Sequence, residues 1–318
     1  MKTGISWRRL LTVGCVAMGS ILGGTAVEAS NVQVALEGEL LVVNGDNLAN
    51  RITIATVASG DVVVTGRLGT TINGLPSLRL RRPTINSVEI QMNAGDDDVV
   101  VNGMQIANDL YANLGDGNDA FRSGANATAI GANLSVEGGA GNETIRLSGW
   151  TIGGDSYIDG QTGTLTCQLS DLAVSFILNV IGDDFRDLVS VANSTIGDFV
   201  AIETKGGNDS VTLNGSSALG AMISTDMGAD AISITDVTVL EDIGVFSGTD
   251  NDRVELFGVA AAKNITVSLD AGNDYLSGTA VTAGLDAVFE GGFGTDTYAD
   301  GGIVGGVKTE VKEFEIFP

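Results

Sequence analysis

An acidic residue returns along this chain at Asp97, Asp119, Glu143, Asp187, Asp209, Asp230, Asp252, Asp274 and Asp296, in steps of 22, 24, 44, 22, 21, 22, 22 and 22 residues. If one period is one rung of a stack, these carboxylates form a column with neighbours about 5 Å apart. Each neighbouring pair then repels by roughly 1 kcal/mol in bulk water and several-fold more at a protein surface. A hard dication between successive turns, held by carboxylate and backbone carbonyl oxygens, offsets such repulsion. Asp116, Asp250 and Asp270 crowd the same edge and complete the set of candidate calcium ligands. Splayed side chains screened by sodium are the alternative.

Catalytic chemistry has a narrower opening. The chain has no histidine, which removes Ser-His-Asp and Cys-His catalysis, imidazole bases and histidine zinc sites together. Arg122 and Arg146 fall on the same outward slot one period apart and are the pair to consider for a lyase-like reaction. A surface charge pair offsetting the acids explains them as well. Carboxylate pairs for glycoside hydrolysis can be drawn anywhere on such a column, so they carry little information.

The elements that position the acids follow from the residues around them. Two places before the acid stands glycine in most repeats, as at Gly95, Gly117, Gly141, Gly207, Gly228, Gly272 and Gly294. Two places after it the residue is always apolar, from Val99 and Phe121 to Leu276 and Tyr298. Apolar residues also recur nine and seven places before it, as in Leu110 and Ala112 or Val200 and Ile202. Alternation on both sides of a glycine turn is the pattern of two strands sharing one interior, and Ile106, Ile130, Val174, Ile196 and Val239 mark a third. A single strand-turn-strand unit cannot bury its apolar face, so the units must stack. The expectation is an all-β parallel β-helix, or β-solenoid, of about 10–12 coils with roughly 22 residues each.

The double step of 44 predicts a degenerate coil, with Leu165 in the acid slot and Cys167 as a buried small hydrophobe. Leu41, Val43, Asn50, Ile52 and Ile54 fit the same frame at the start, with Asn50 in place of the acid. The asparagines of the turn, Asn118, Asn142, Asn208, Asn251 and Asn273, are placed to form a coil-to-coil amide ladder. The organisation read from this is a signal peptide over 1–29, an irregular N-terminal β cap over 30–85, repeats over 86–306 and a charged capping strand over 307–318.

The signal reading rests on Lys2, Arg8 and Arg9, the apolar run from Leu10 to about Gly24, and small residues at Val27 and Ala29. Its removal leaves 13 basic and 39 acidic residues, a net charge of −26 against −24 for the whole chain. Such a chain repels nucleic acid and anionic lipid and attracts cations. One cysteine remains, so no internal disulfide is possible. No later stretch is long and apolar enough to span a membrane. The expected location is extracellular or in the cell envelope.

Three segments resemble a known family. Gly291-Gly292-Phe293-Gly294-Thr295-Asp296-Thr297-Tyr298 matches the Gly-Gly-x-Gly-x-Asp-x-apolar motif of the haemolysin-type calcium-binding (repeats-in-toxin) repeat. Gly138–Ile145 matches with Glu143 for the aspartate, and Gly115–Phe121 is similar. The resemblance implies calcium bound between stacked turns by Asp119, Asp209, Asp274, Asp296 and the other column acids. In that family the motif returns about every nine residues, whereas here it returns about every 22, and the export signal stands at the opposite end of the chain. The expectation is therefore a secreted or surface calcium-binding solenoid with a non-enzymatic structural or adhesive role. Its partners are calcium and extracellular polysaccharide or envelope components. A calcium-dependent polysaccharide-active enzyme and a metal-free passive scaffold are the alternatives.

Overall fold

The computed structural model describes residues 29–316; the signal-peptide reading falls almost wholly outside the described residues. One representative coil runs through the strands Leu178–Ile181, Leu188–Ala192 and Thr195–Ile196. The next repeats it as Phe199–Glu203, Ser210–Asn214 and Ser217–Ala218. Each residue lies over its counterpart one period away: Val180 pairs with Ile202, Val189 with Val211 and Thr195 with Ser217, all in parallel register. The chain is an all-β parallel β-solenoid of about ten coils, with no helix among the described residues. No helix there is long and apolar enough to cross a membrane.

The interior is built by the period-two alternation. Every apolar residue nine and seven places before the acid slot, and two places after it, is buried. β-branched and aliphatic side chains suit this packing, because stacked copies meet their own kind at strand spacing. The degenerate coil keeps the frame: Leu165 pairs with Glu143, and Cys167 with Ile145 on one side and Val189 on the other, fully buried.

The two ends differ. Leu40–Asn44 and Arg51–Thr56 stack in parallel on Ser87–Gln91 and Asp98–Asn102 as a first coil. The chain then reverses. Val62–Gly66 pairs antiparallel with Arg51–Thr56, Ser77–Leu80 with Val62–Gly66, and Asn31–Glu37 with Leu40–Asn44. Antiparallel hairpins explain why residues 60–85 fall out of phase in the sequence. Arg67 ties this cap to the stack through Asp98 at 2.9 Å and the carbonyls of Ile52 and Asp98. At the other end Lys308–Lys312 continues the parallel sheet on Asp286–Glu290, and Phe314 covers Tyr298 with ring centroids 5.4 Å apart. Charges on that last strand protect the open edge from pairing with another chain.

Candidate functional site

The glycine turn bends twice into the left-handed region. Four places before the acid slot φ is positive at Asn93, Gly115, Gly139, Lys205, Asp226, Gly248, Asp270 and Gly292. Two places before it φ is positive at Gly95, Gly117, Gly141, Gly163, Gly207, Gly228, Asp250 and Gly294. Glycine adopts this region freely, while Asn and Asp tolerate it better than other side chains. Close stacking adds a second demand. A Cβ at Gly141 would sit 1.6 Å from the Gly117 carbonyl oxygen, so at this rung only glycine lets the turns close on each other.

The structure divides the twelve sequence candidates into two sets. Asp97, Asp119, Glu143, Asp187, Asp209, Asp230, Asp252, Asp274 and Asp296 turn inward and are 0–3 % exposed. Asp116, Asp250 and Asp270 lie exposed on the rim of the turn. For Asp250 and Asp270 the positive φ is reason enough for an Asx residue.

One oxygen of each inward acid has a backbone task. Asp119 accepts the Asp97 N–H at 2.7 Å, Asp209 that of Asp187 at 2.7 Å and Asp230 that of Asp209 at 2.7 Å. Asp252 accepts the Asp230 N–H at 2.9 Å, Asp274 that of Asp252 at 2.8 Å and Asp296 that of Asp274 at 2.8 Å. The ladder starts in the cap, where Asn50 donates to Asp97 at 2.6 Å, and it ends where Asp296 donates to Glu315 at 2.8 Å. Around Leu165 the backbone substitutes: the Glu143 N–H goes to the Thr164 carbonyl at 2.8 Å. A buried N–H must find an acceptor, and here a side chain from the next coil supplies it.

The second oxygen is different. Among the described residues it is buried and makes no hydrogen bond in Asp97, Asp119, Glu143, Asp274 and Asp296, and in Asp209, Asp230 and Asp252 it is buried with only the hydroxyl of Thr204, Thr225 or Ser247 facing it. In Asp187 it accepts the Asp183 N–H at 3.1 Å. Burial, the leading cause in each case, pushes the carboxyls up, to about 8 for Asp97 and Glu143 and about 7 for Asp119, Asp187 and Asp230. Asp252 and Asp274 rise to about 6, and Asp209 and Asp296 are also raised. Neighbouring column charges add to the effect at Asp97, Glu143, Asp230, Asp252 and Asp274.

Two compensations suit buried oxygens of this kind. A proton on the second oxygen removes the charge. A cation between turns keeps it. Among the described residues no three acidic side chains converge on one point, so a cation would take two successive carboxylates and complete its shell with backbone carbonyls. The carbonyls of Gly95, Gly117 and Gly207 point along the stack at the glycine of the next coil, into the space a Cβ would fill. Carboxylate and carbonyl oxygens in that mixture suit calcium, a hard cation that takes six to eight oxygen ligands.

Outside the column the amide ladder is present. Asn142 donates its side-chain amide to Asn118 at 2.6 Å, and the N–H groups of Ala229, Asn273 and Thr295 donate to Asn208, Asn251 and Asn273 at 3.0, 2.7 and 3.0 Å. It runs opposite to the acid ladder: each asparagine serves the coil after it, each acid the coil before it. Two features escaped the sequence reading. The residue five places before the acid faces its carboxylate, and Thr204, Thr225 and Ser247 there favour the charged forms of Asp209, Asp230 and Asp252. A hydroxyl ladder also occupies a second corner, where Ser194 accepts the Leu172 N–H and Ser216 that of Ser194, both at 3.1 Å. The period-22 return of Gly149, Asp171, Asn193, Gly215, Asp236 and Gly258, all at positive φ, was the available signal for that corner.

Arg122 and Arg146 are neighbours in register, and Arg122 pairs with Asp98 at 2.7 Å. No protein-family model, no curated protein and no solved structure matches the chain.

Proposed function

We propose that this chain is an exported, non-catalytic structural rod whose acid column is completed by calcium in the extracellular space or cell envelope. The observation that carries the reading is the run of buried carboxylate oxygens without a hydrogen-bond partner. Leaving such oxygens charged and bare is costly, and a dication shared by successive turns offsets that cost along the whole stack. Calcium then acts through folding, because a cation that binds only the native state stabilises it by mass action. Export supports this logic: self-repulsion in a low-calcium compartment hinders the fold, and a calcium-rich exterior completes it. Against a catalytic pair of arginines stands the commitment of Arg122 to Asp98, which leaves Arg146 alone on that slot.

Thermal melting of the mature chain near pH 8, in millimolar calcium and in chelator, tests the reading. Melting should rise by tens of degrees with calcium, and the gain should shrink toward pH 5 as protons compete for the same oxygens. An unchanged melting temperature at pH 8 sinks it.

A second reading draws on the raised carboxyl values. A column of neutral acids, hydrogen-bonded coil to coil, makes a passive rod with no specific metal. It predicts the same melting temperature with and without calcium, and higher stability at low pH.

A further inference from the structure

For a chain this acidic, one face is unusual. The strands Ala120–Ser123, Glu143–Ser148, Leu165–Ser170, Leu188–Ala192, Ser210–Asn214 and Ala231–Thr235 put no carboxylate on their outer surface. Their one acid, Glu143, points inward. The adjoining sheet, by contrast, turns Glu89, Glu137, Asp159 and Glu203 outward. The acid-free stretch spans six rungs, with Asp98 and Glu255 on the rungs that flank it in the same sheet.

At one end of the acid-free face lies a shallow depression of about 400 Å³. Arg122, Arg146, Gln168 and Ser190 form its central row, each in register with the next. Successive rungs stand about 4.8 Å apart, so the row extends about 14 Å. Ser148 and Ser170 flank it, with the Ser170 hydroxyl 3.0 Å from that of Ser148. Asp98 neutralises Arg122 in part, and Asp171 sits at the corner edge within 3.4 Å of Ser148. Among the described residues the Arg146 side chain has neither an ion pair nor a hydrogen bond; its backbone carbonyl accepts from the Ser123 hydroxyl. With acids far outnumbering bases, an arginine without a counter-charge beside a row of hydroxyls is chemically suited to an external anion.

We infer that this row is a binding groove for an acidic polysaccharide, with Arg146 receiving a carboxylate or sulfate and Gln168, Ser148 and Ser170 pairing with sugar hydroxyls. Guanidinium matches a planar carboxylate through two parallel hydrogen bonds. The rest of the groove offers neutral donors and acceptors, which suits a ligand that is mostly hydroxyl and only sparsely charged. Duplex nucleic acid carries a charge about every 1.7 Å and would meet the field of the whole acidic rod. The groove lies on an outer sheet face, away from the inward carboxylates, so the inference stands whether or not the column takes calcium.

Titration calorimetry of the mature chain with a short oligogalacturonate, in calcium and again in chelator, tests it, with circular dichroism confirming the fold in each buffer. Arg146→Gln should weaken binding at least tenfold, Arg146→Lys should restore part of it, and Arg253→Gln, which removes an equal charge elsewhere, should leave it unchanged. Absence of binding overturns the inference, as does an Arg146→Gln variant that binds like the parent. Equal affinity for a neutral oligosaccharide overturns the role of the anion. Tighter, Arg146-dependent binding of duplex DNA overturns the choice of ligand.

Discussion

Two stretches of the column share one backbone path and differ in what faces the acid. Met92 and Leu114 lie opposite Asp97 and Asp119, whereas Thr225 and Ser247 lie opposite Asp230 and Asp252. The apolar stretch holds its carboxyls at about 8 and about 7; the hydroxyl stretch holds them at about 7 and about 6. Main-chain donors are equivalent in both, since every one of these acids accepts the N–H of the coil before it. A facing hydroxyl favours the charged form of Asp230 and Asp252, but Asp274, which faces the buried Leu269, also rises only to about 6, so the facing residue acts beside the depth of burial and does not replace it. Glu143 is a third solution: its extra methylene is accommodated because Gly138 faces it.

The largest effect to test this comparison is the pH dependence of the metal-free protein. Raised folded-state carboxyl values mean that unfolding releases protons between the ordinary carboxyl value near 4 and the folded values of about 6 to 8. Stability should fall as pH rises through that window, with the penalty absent below about pH 4 and complete above about pH 8. In chelator, melting should drop by on the order of 10 °C between pH 5 and pH 8. A flat or rising profile breaks the account of both stretches.

Next in size is loss of a rung. Asp230→Leu strands the buried Asp209 N–H and crowds Thr225, a loss of about 2–4 kcal/mol in denaturant melts. Leu165 is the natural precedent, and it survives because Gly160 faces it and the Thr164 carbonyl serves Glu143. Asp230→Leu combined with Thr225→Gly should recover part of the loss. No recovery would show that the backbone donor, rather than space, decides.

The repeat was legible because each coil repeats one apolar frame, and stacking forces residues of equal phase into contact. Val180 over Ile202 and Val189 over Val211 follow from counting. The acid column could be counted as well, but its direction could not. Period-two alternation places residues on faces, whereas a turn with two positive-φ residues breaks the alternation, so Asp230 points inward while Asp226 and Asp250 point out. The role of Thr225 was hidden for the same reason: it lies across the turn from Asp230 rather than beside it in the strand pattern.

Exchanging neighbours sharpens the comparison at smaller scale. Leu114→Thr should lower the Asp119 carboxyl value and move the metal-free melting profile toward that of the hydroxyl stretch, while Thr225→Leu should do the reverse at Asp230. Each exchange also carries an ordinary packing cost of about 1–2 kcal/mol, independent of pH. The readout is therefore the slope between pH 5 and pH 8, not the absolute melting temperature. Parallel profiles for parent and variants would remove the facing residue from the explanation.

The smallest effect separates the inner ladder from the outer one. Asn251→Ala removes an exposed acceptor for the Asn273 N–H, which water replaces, so the loss should be about 0.5 kcal/mol and the same at every pH. Asp252→Asn keeps an acceptor for the buried Asp230 N–H and deletes the charge. Its new amide N–H lies beside Ser247, whose hydroxyl oxygen can accept it. In chelator at pH 8 this variant should melt at or above the parent, and at pH 5 the advantage should vanish because the parent acid is then mostly neutral. Asn50, already buried in the equivalent slot with its amide bonded to Asp46 at 2.8 Å, shows that the site accepts a neutral side chain. A variant destabilised equally at both pH values would mean that the buried charge costs the rod nothing and that the two ladders differ only in exposure.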